Sequence, residues 1–215
     1  MKLIIANKNY SSWSLRAWLA LRATGQSFTE EQVLLGEIDT HERILQRSPS
    51  GKVPCLIDGA LAIWDSLAII EYLAESYPGL WPAKREERAL ARSISAEMHS
   101  GFMALRSRMP MNIRRSLPGR GLSPESEADI ARIVQIWDHC LARRSSEGPY
   151  LFGAFSAADA MFAPVCFRFQ SYGVEPGGPA GGYLAAMLAH PAMREWQAAA
   201  QQETAIVAAD ELPEQ

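Results

Sequence analysis

The sequence predicts a chain in two parts. An α/β domain with a mixed sheet occupies residues 1–80, and an all-helical domain occupies residues 81–215. Three observations carry this. Up to residue 80, short apolar runs alternate with helix-period segments in the order strand, helix, strand, helix, strand, strand, helix. Trp81-Pro82 and the charged run from Lys84 to Arg88 then break the pattern. After that break apolar residues recur every three or four positions, as helices require. A parallel strand pair needs a crossover helix, and two consecutive strands can close a hairpin. The result is a mixed sheet with helices on both faces.

In chain order, residues 2–6 read as a buried strand. A helix with Leu15, Trp18, Leu19 and Ala23 on one side follows and ends near Gly25. Phe28 to Leu35 is β-capable, with Val33 and Leu34 as its core residues. Asp39 is placed to cap a short helix that runs to about Arg47, and Ser48-Pro49-Ser50-Gly51 stops it. Val53 to Ile57 reads as a strand interrupted by Pro54. Asp58-Gly59 makes a two-residue hairpin turn, and Ala60 to Trp64 is the return strand. Asp65-Ser66 opens a helix with Leu67, Ile70, Leu73 and Tyr77 on its buried side, ended by Pro78-Gly79.

In the second part, Leu90, Ile94, Met98, Phe102, Leu105 and Met109 predict one helix ending near Pro110. Ser123-Pro124-Glu125 is a helix start, and Ile130, Ile133, Val134, Trp137 and Leu141 share a face. Ser156 and Asp159 form a capping box ahead of a core helix that contains Pro164, expected to kink it. Residues 177–182 read as a glycine loop, His190-Pro191 opens a last helix, and the tail after Val207 reads as loosely held.

Composition excludes several classes of function. The net charge of −3 gives no basic footprint for nucleic acid, and no apolar run is long enough to span a bilayer. No cleavable leader pattern precedes Asn7-Lys8. Cys55, Cys140 and Cys166 are too few and too scattered for a disulfide framework, so a cytoplasmic location is expected. The four histidines have no metal-ligand spacing, and no metal is expected. Arg106, Arg108, Arg114, Arg115 and Arg120 read as a solvated or inter-subunit face, or as a site for an acidic substrate.

Three stretches offer chemistry. Ser11, Ser12 and Ser14 sit where a strand hands over to a helix. There a hydroxyl either caps the helix or helps hold an anion against free N–H groups. Pro54 opens a strand at a position that cannot donate to a ladder. Asp65-Ser66 either caps its helix or offers a carboxylate for an ammonium and a hydroxyl for a carboxylate, matching the α-amino-acid end of a ligand.

Together, Ser11-Ser12-Trp13-Ser14-Leu15-Arg16, Gly51-Lys52-Val53-Pro54 and the stretch from Asp65-Ser66 to Tyr72-Leu73 resemble a cytosolic glutathione S-transferase. The serine loop is most similar to that of the zeta class, here in a bacterial serine-type form, with Trp13 where the class has cysteine. The resemblance implies a thioredoxin-like first domain with a cis bond before Pro54, a helical-bundle second domain, and glutathione as co-substrate. Val53 would pair with its cysteinyl backbone, Ser66 would take the γ-glutamyl carboxylate and Asp65 the amine. Lys52 would reach the glycyl carboxylate or stand as a solvated lysine. Ser11, or else Ser12, would donate a hydrogen bond to the sulfur and favour the nucleophilic thiolate, while Ser14 caps the helix and Arg16 is structural.

The resemblance also implies a small electrophile bound between the domains near Trp13, Phe102, Met109, Met111, Arg168 and Tyr172, and a homodimer with no nucleic-acid or membrane partner. Zeta-class maleylacetoacetate isomerases hold a substrate carboxylate with an arginine. Counting from Asp159 and Pro164, that position is Ser171 here, with Arg168 one turn earlier. Conjugation therefore leads, with isomerisation or a binding role without chemistry as alternatives.

Overall fold

The computed structural model describes residues 1–213. The first part holds β1 (Lys2–Ile5), α1 (Ser12–Ala23), β2 (Thr29–Gln32), α2 (Thr40–Leu45), β3 (Cys55–Asp58), β4 (Leu61–Trp64) and α3 (Ser66–Ser76). The sheet order is β2-β1-β3-β4, with β1 parallel to β2 and both other pairings antiparallel. Alternation along β1 sorts the core. Leu3 and Ile5 pack with Leu56 against the large cluster under α1 and α3. Ile4 points to the other face, with Val33, Ile44 of α2 and Cys55. Helices on both faces follow from that two-sided strand.

Some bounds differ from the sequence expectation. The charged strand β2 stops at Gln32, and Val33 follows it with its N–H bonded to Ile5 O. The hairpin turn falls on Gly59-Ala60, one residue later than expected, because Asp58 still pairs with Leu61. Tyr72 Oη donates to Asp58 Oδ2 at 2.8 Å and ties α3 to that strand end.

The second part is helical: α4 (Arg85–Ser100), α5 (Met103–Arg108), α6 (Pro124–Arg143), α7 (Ala157–Tyr172), α8 (Gly178–Ala189) and α9 (Pro191–Gln202). The single helix expected across Leu90 to Met109 is two helices. A Cβ at Gly101 would lie 2.9 Å from Glu97 O, and Phe102 takes a left-handed conformation at φ 61°. The break is stabilised on both sides. Arg106 donates to the carbonyls of Met98 and Gly101, which the end of α4 leaves open, and Asp129 Oδ2 accepts from Leu105 N–H at 2.9 Å.

The segment expected as a glycine loop opens α8 instead. Asp138 Oδ1, on α6, accepts from Ala180 N–H at 3.1 Å and so caps α8 from a neighbouring helix. The box ahead of α7 forms as expected: Asp159 accepts from Leu151 and Ser156 N–H, and α7 runs unbroken through Pro164.

From Val207 to Pro213 the tail is tied down, contrary to expectation, and its last two residues lie outside the described ones. Glu211 accepts from Tyr10 Oη at 2.6 Å and from Asn112 and Arg115, and Arg120 donates to Pro213 O. Glu203, at the end of α9, accepts from Lys8 and Asn9 N–H at 2.7 and 2.9 Å. The arginine run thus splits. Arg114, Arg115 and Arg120 brace the tail, Arg108 is exposed, and Arg106 turns inward. No helix is long and apolar enough to cross a membrane among the described residues.

Candidate functional site

The loop after β1 turns on Asn7, whose carbonyl accepts from both Tyr10 and Ser11 N–H. That geometry makes Ser11, not Ser14, the N-cap of α1. Ser11 Oγ accepts from Ser14 N–H at 3.3 Å and lies 2.7 Å from Ser14 Oγ, to which it donates. Ser14 is fully buried and its Oγ accepts from Ala6 N–H at 3.1 Å, pinning the loop to the strand end. Ser12 is the first residue of α1, and no hydrogen bond among the described residues engages its hydroxyl.

The Val53–Pro54 bond is cis. Among the described residues neither N–H nor carbonyl of Val53 joins a backbone hydrogen bond, so the backbone just ahead of β3 is open to an added chain.

Asp65 holds two roles at once. It caps α3 through Oδ1, which accepts from Leu67 and Ala68 N–H at 2.8 and 3.3 Å. Its Oδ2 lies 2.8 Å from His99 Nε2 on α4. Burial opposes the charge of Asp65, but His99 and the two N–H groups outweigh it and hold the carboxyl below its ordinary value. Asp65 also sits at φ 73°, ψ 133°, a conformation that costs a side-chain-bearing residue about 1–3 kcal/mol. The start of α3 and the open backbone at Val53 line one cavity. Ser66 follows, buried, and among the described residues neither its hydroxyl nor its N–H at the helix start has a hydrogen-bond partner.

These elements enclose a cavity of about 490 Å³, lined by Trp13, Ser50, Lys52, Val53, Pro54, Trp64, Asp65, Ser66 and His99. All five residues named for the co-substrate line it. So does Trp13, whose ring meets that of His99 edge-on at 5.3 Å between centroids. Ser11 and Ser12, next to Trp13 in the chain, are buried and are not among the lining residues. Phe102, Met109, Met111, Arg168 and Tyr172, expected beside the electrophile, are buried in the core and are not among the residues lining the cavity. There Arg168 Nε donates to Met109 O and Tyr172 Oη to Pro110 O. Ser171 Oγ donates to Asn112 O at 2.8 Å.

His99, Ser50 and Trp64 are cavity residues that sequence reasoning missed. Ser50 and Trp64 flank the stretches already singled out, which was the available signal. His99 is brought in by the packing of α4 against the first domain, for which the sequence carries none.

The family description "Glutathione S-transferase, N-terminal domain" matches residues 10–76, and "Glutathione S-transferase, C-terminal domain" matches residues 121–199. The chain is 38% identical over 108 residues to a probable maleylacetoacetate isomerase of Vibrio cholerae, covering 46% of this chain and 50% of that one. The match thus spans about half the length of that relative. Glutathione S-transferase F10 of Arabidopsis thaliana is 30% identical over 178 residues, 78% of this chain and 79% of that one. A solved maleyl pyruvate isomerase, described as a bacterial glutathione S-transferase of the zeta class, is similar at TM-score 0.71 and 27% identity. The match covers 95% of this chain and 100% of that one. A thioredoxin-like domain followed by a helical domain is the architecture common to this group.

Proposed function

The chain belongs to the glutathione S-transferase superfamily, and we propose that it binds glutathione in the cavity at the start of α3 and transfers it to a small electrophile. The observation that carries this is Ser66. A buried hydroxyl without a partner is costly, and beside it lie a free helix-start N–H and the carboxylate of Asp65. This donor pair with an adjacent acceptor fits an α-amino-acid end, carboxylate on Ser66 and ammonium on Asp65. The open backbone of Val53 fits an extended peptide, and Lys52 the far carboxylate.

When bound, glutathione supplies a sulfur nucleophile that, having lost its proton to solvent, forms a C–S bond as the electrophile's leaving group departs with the bonding pair. The chain's part is to hold that sulfur charged. The free hydroxyl of Ser12, at the positive end of α1, is the proposed donor, since the Ser11 hydroxyl is committed to Ser14. A free thiol titrates near pH 8.5, and each unit of lowering is worth about 1.4 kcal/mol between the two forms.

The test is calorimetric binding of glutathione together with conjugation to 1-chloro-2,4-dinitrobenzene. Ser12→Ala is expected to keep affinity and stability while kcat falls about tenfold or more and its pH profile moves up. Ser11→Ala is expected to lose about 1 kcal/mol of stability as a cap in urea unfolding. Equal kcat in Ser12→Ala and the parent would remove the thiolate role from Ser12.

Because neither serine lines the cavity, a second reading is a glutathione-binding protein without conjugation. Binding without serine-dependent turnover selects it. The isomerase names among the relatives favour isomerisation of a maleyl-type substrate, checked by turnover of maleylacetoacetate. A homodimer is an expectation of the family, checked by analytical ultracentrifugation.

A further inference from the structure

The backbone that leads into the serines is held from the far end of the chain. Glu203, just past α9, grips two successive amides. Its Oε1 accepts from Lys8 N–H at 2.7 Å and its Oε2 from Asn9 N–H at 2.9 Å. Trp196 Nε1 donates to Lys8 O at 2.9 Å. Glu211 Oε1 accepts from Tyr10 Oη at 2.6 Å, and Arg114 Nη2 donates to the same hydroxyl at 2.9 Å. Arg114 also donates to the carbonyls of Glu203 and Ala205, so one guanidinium joins the two anchors.

From Tyr10 the grip passes to the serines through the main chain. Asn7 O accepts from Tyr10 and Ser11 N–H at 3.2 and 2.8 Å, and Tyr10 O accepts from Ser12 N–H at 2.9 Å. The Tyr10 side chain is buried, so its ring and hydroxyl fix the residue whose carbonyl carries Ser12. The tail itself is held differently. Between residues 203 and 213 only Val207 is buried, and Ile206 is 69% exposed. Polar anchors, rather than a packed core, keep it in place. A segment with so little buried apolar surface opens locally at lower cost than a packed helix. Lys8, Asn9, Tyr10, Glu203 and Glu211 are not among the cavity-lining residues, so they act on the cavity only through the loop. The Asp65 carboxylate bonds to Leu67, Ala68 and His99, and to no part of the tail.

We propose that Glu203 and Glu211 are positioning residues for the serine loop: they hold Tyr10, and through it the Ser12 hydroxyl, where the sulfur of a bound thiol would meet it. The chemistry rests on the transferase reading; the hold on the loop does not. The site is thereby divided in two. Affinity for the peptide belongs to Val53 and the start of α3, which the tail does not touch. Placement of the hydrogen-bond donor to sulfur belongs to the tail. The end of the chain therefore acts on rate and leaves binding alone. A donor displaced by a fraction of an ångström loses rate steeply, because its bond weakens with distance and angle.

The experiment compares Glu203→Ala, Glu211→Ala and Glu211→Gln with the parent, each first shown to be folded by circular dichroism. Amide exchange followed by NMR is expected to quicken about tenfold or more at Tyr10, Ser11 and Ser12 in both alanine variants, and to hold at Ile69 and Leu73 in α3. With 1-chloro-2,4-dinitrobenzene, kcat is expected to fall about five- to tenfold in both, while the calorimetric Kd for glutathione stays within about twofold. Glu211→Gln keeps an acceptor for Tyr10 Oη and is expected to return most of the rate. Glu195→Ala breaks only an exposed pair between α9 and Arg22 and is expected to match the parent.

Unchanged exchange at Tyr10, Ser11 and Ser12 in either alanine variant overturns the proposal for that residue. Faster exchange with kcat unmoved overturns it for both. So does a loss of glutathione affinity that matches the loss of rate, since the tail would then support the whole first domain. Should the parent not turn over the aryl chloride, the transferase reading fails by itself, and the exchange result alone decides the hold on the loop.

Discussion

Ser66→Ala is expected to weaken glutathione binding by about 10- to 100-fold while leaving the protein as stable as before, or more so by up to about 1 kcal/mol. The two effects have one cause. In the unliganded protein the Ser66 hydroxyl is buried with no partner, so deleting it removes a desolvation cost. In the proposed complex the same hydroxyl would donate to a carboxylate, a charge-assisted bond of about 1.5–3 kcal/mol. Titration calorimetry and urea unfolding of the same preparation measure both. A loss of stability alongside the loss of affinity would show that Ser66 supports the fold and would take from the proposed function the observation that carries it.

Asp159→Ala is expected to cost about 3 kcal/mol or more and to lower Tm by about 6–12 °C. The carboxylate accepts from Leu151 N–H at 3.1 Å, and from Ser156 N–H and Ser156 Oγ at 2.8 Å each. Alanine leaves those donors buried and unpaired. A pH dependence accompanies it. Burial outweighs the hydrogen bonds to Asp159 and raises its carboxyl to about 6, above its unfolded value near 3.8.

Between those values the folded chain binds more protons than the unfolded one, so stability falls as pH rises. The contribution is full below about pH 4 and lost above about pH 6, and is on the order of 3 kcal/mol. Unfolding curves from pH 4 to pH 7.5 test the sign, and Asp159→Asn is expected to flatten that slope. A slope of opposite sign in the parent would mean that the hydrogen bonds, not burial, set this carboxyl. A folding role agrees with the absence of this strongly shifted buried acid from the residues lining the cavity.

What could be read from the sequence tracks what a residue's own backbone demands. Asp65-Ser66 and Val53-Pro54 were legible because a cap, a helix start and a strand-edge proline each have local rules, and all four residues reach one cavity. The choice among the serines was not legible. Whether Ser11 or Ser14 caps α1 depends on the Asn7 turn, which only the folded loop defines. The α4–α5 break was hidden because the apolar spacing continues across Gly101-Phe102. The start of α8 was hidden because its cap is Asp138, from another helix. His99 and the inward turn of Arg106 are products of helix packing. The arginine run was visible, but not which member of it faces inside.

The seam between Glu203, Glu211 and the loop at residues 8–10 has a consequence for the order of synthesis. The serines' loop leaves the ribosome well before the carboxylates that fix Lys8, Asn9 and Tyr10, which follow it by more than 190 residues. Domains fold as units while translation proceeds, so the sheet can form early and wait for its tail. A chain halted before Glu203 is therefore expected to hold a folded first domain whose Lys8 and Asn9 amides exchange rapidly with deuterium, and full protection of those two amides is expected only once Glu203 is in place.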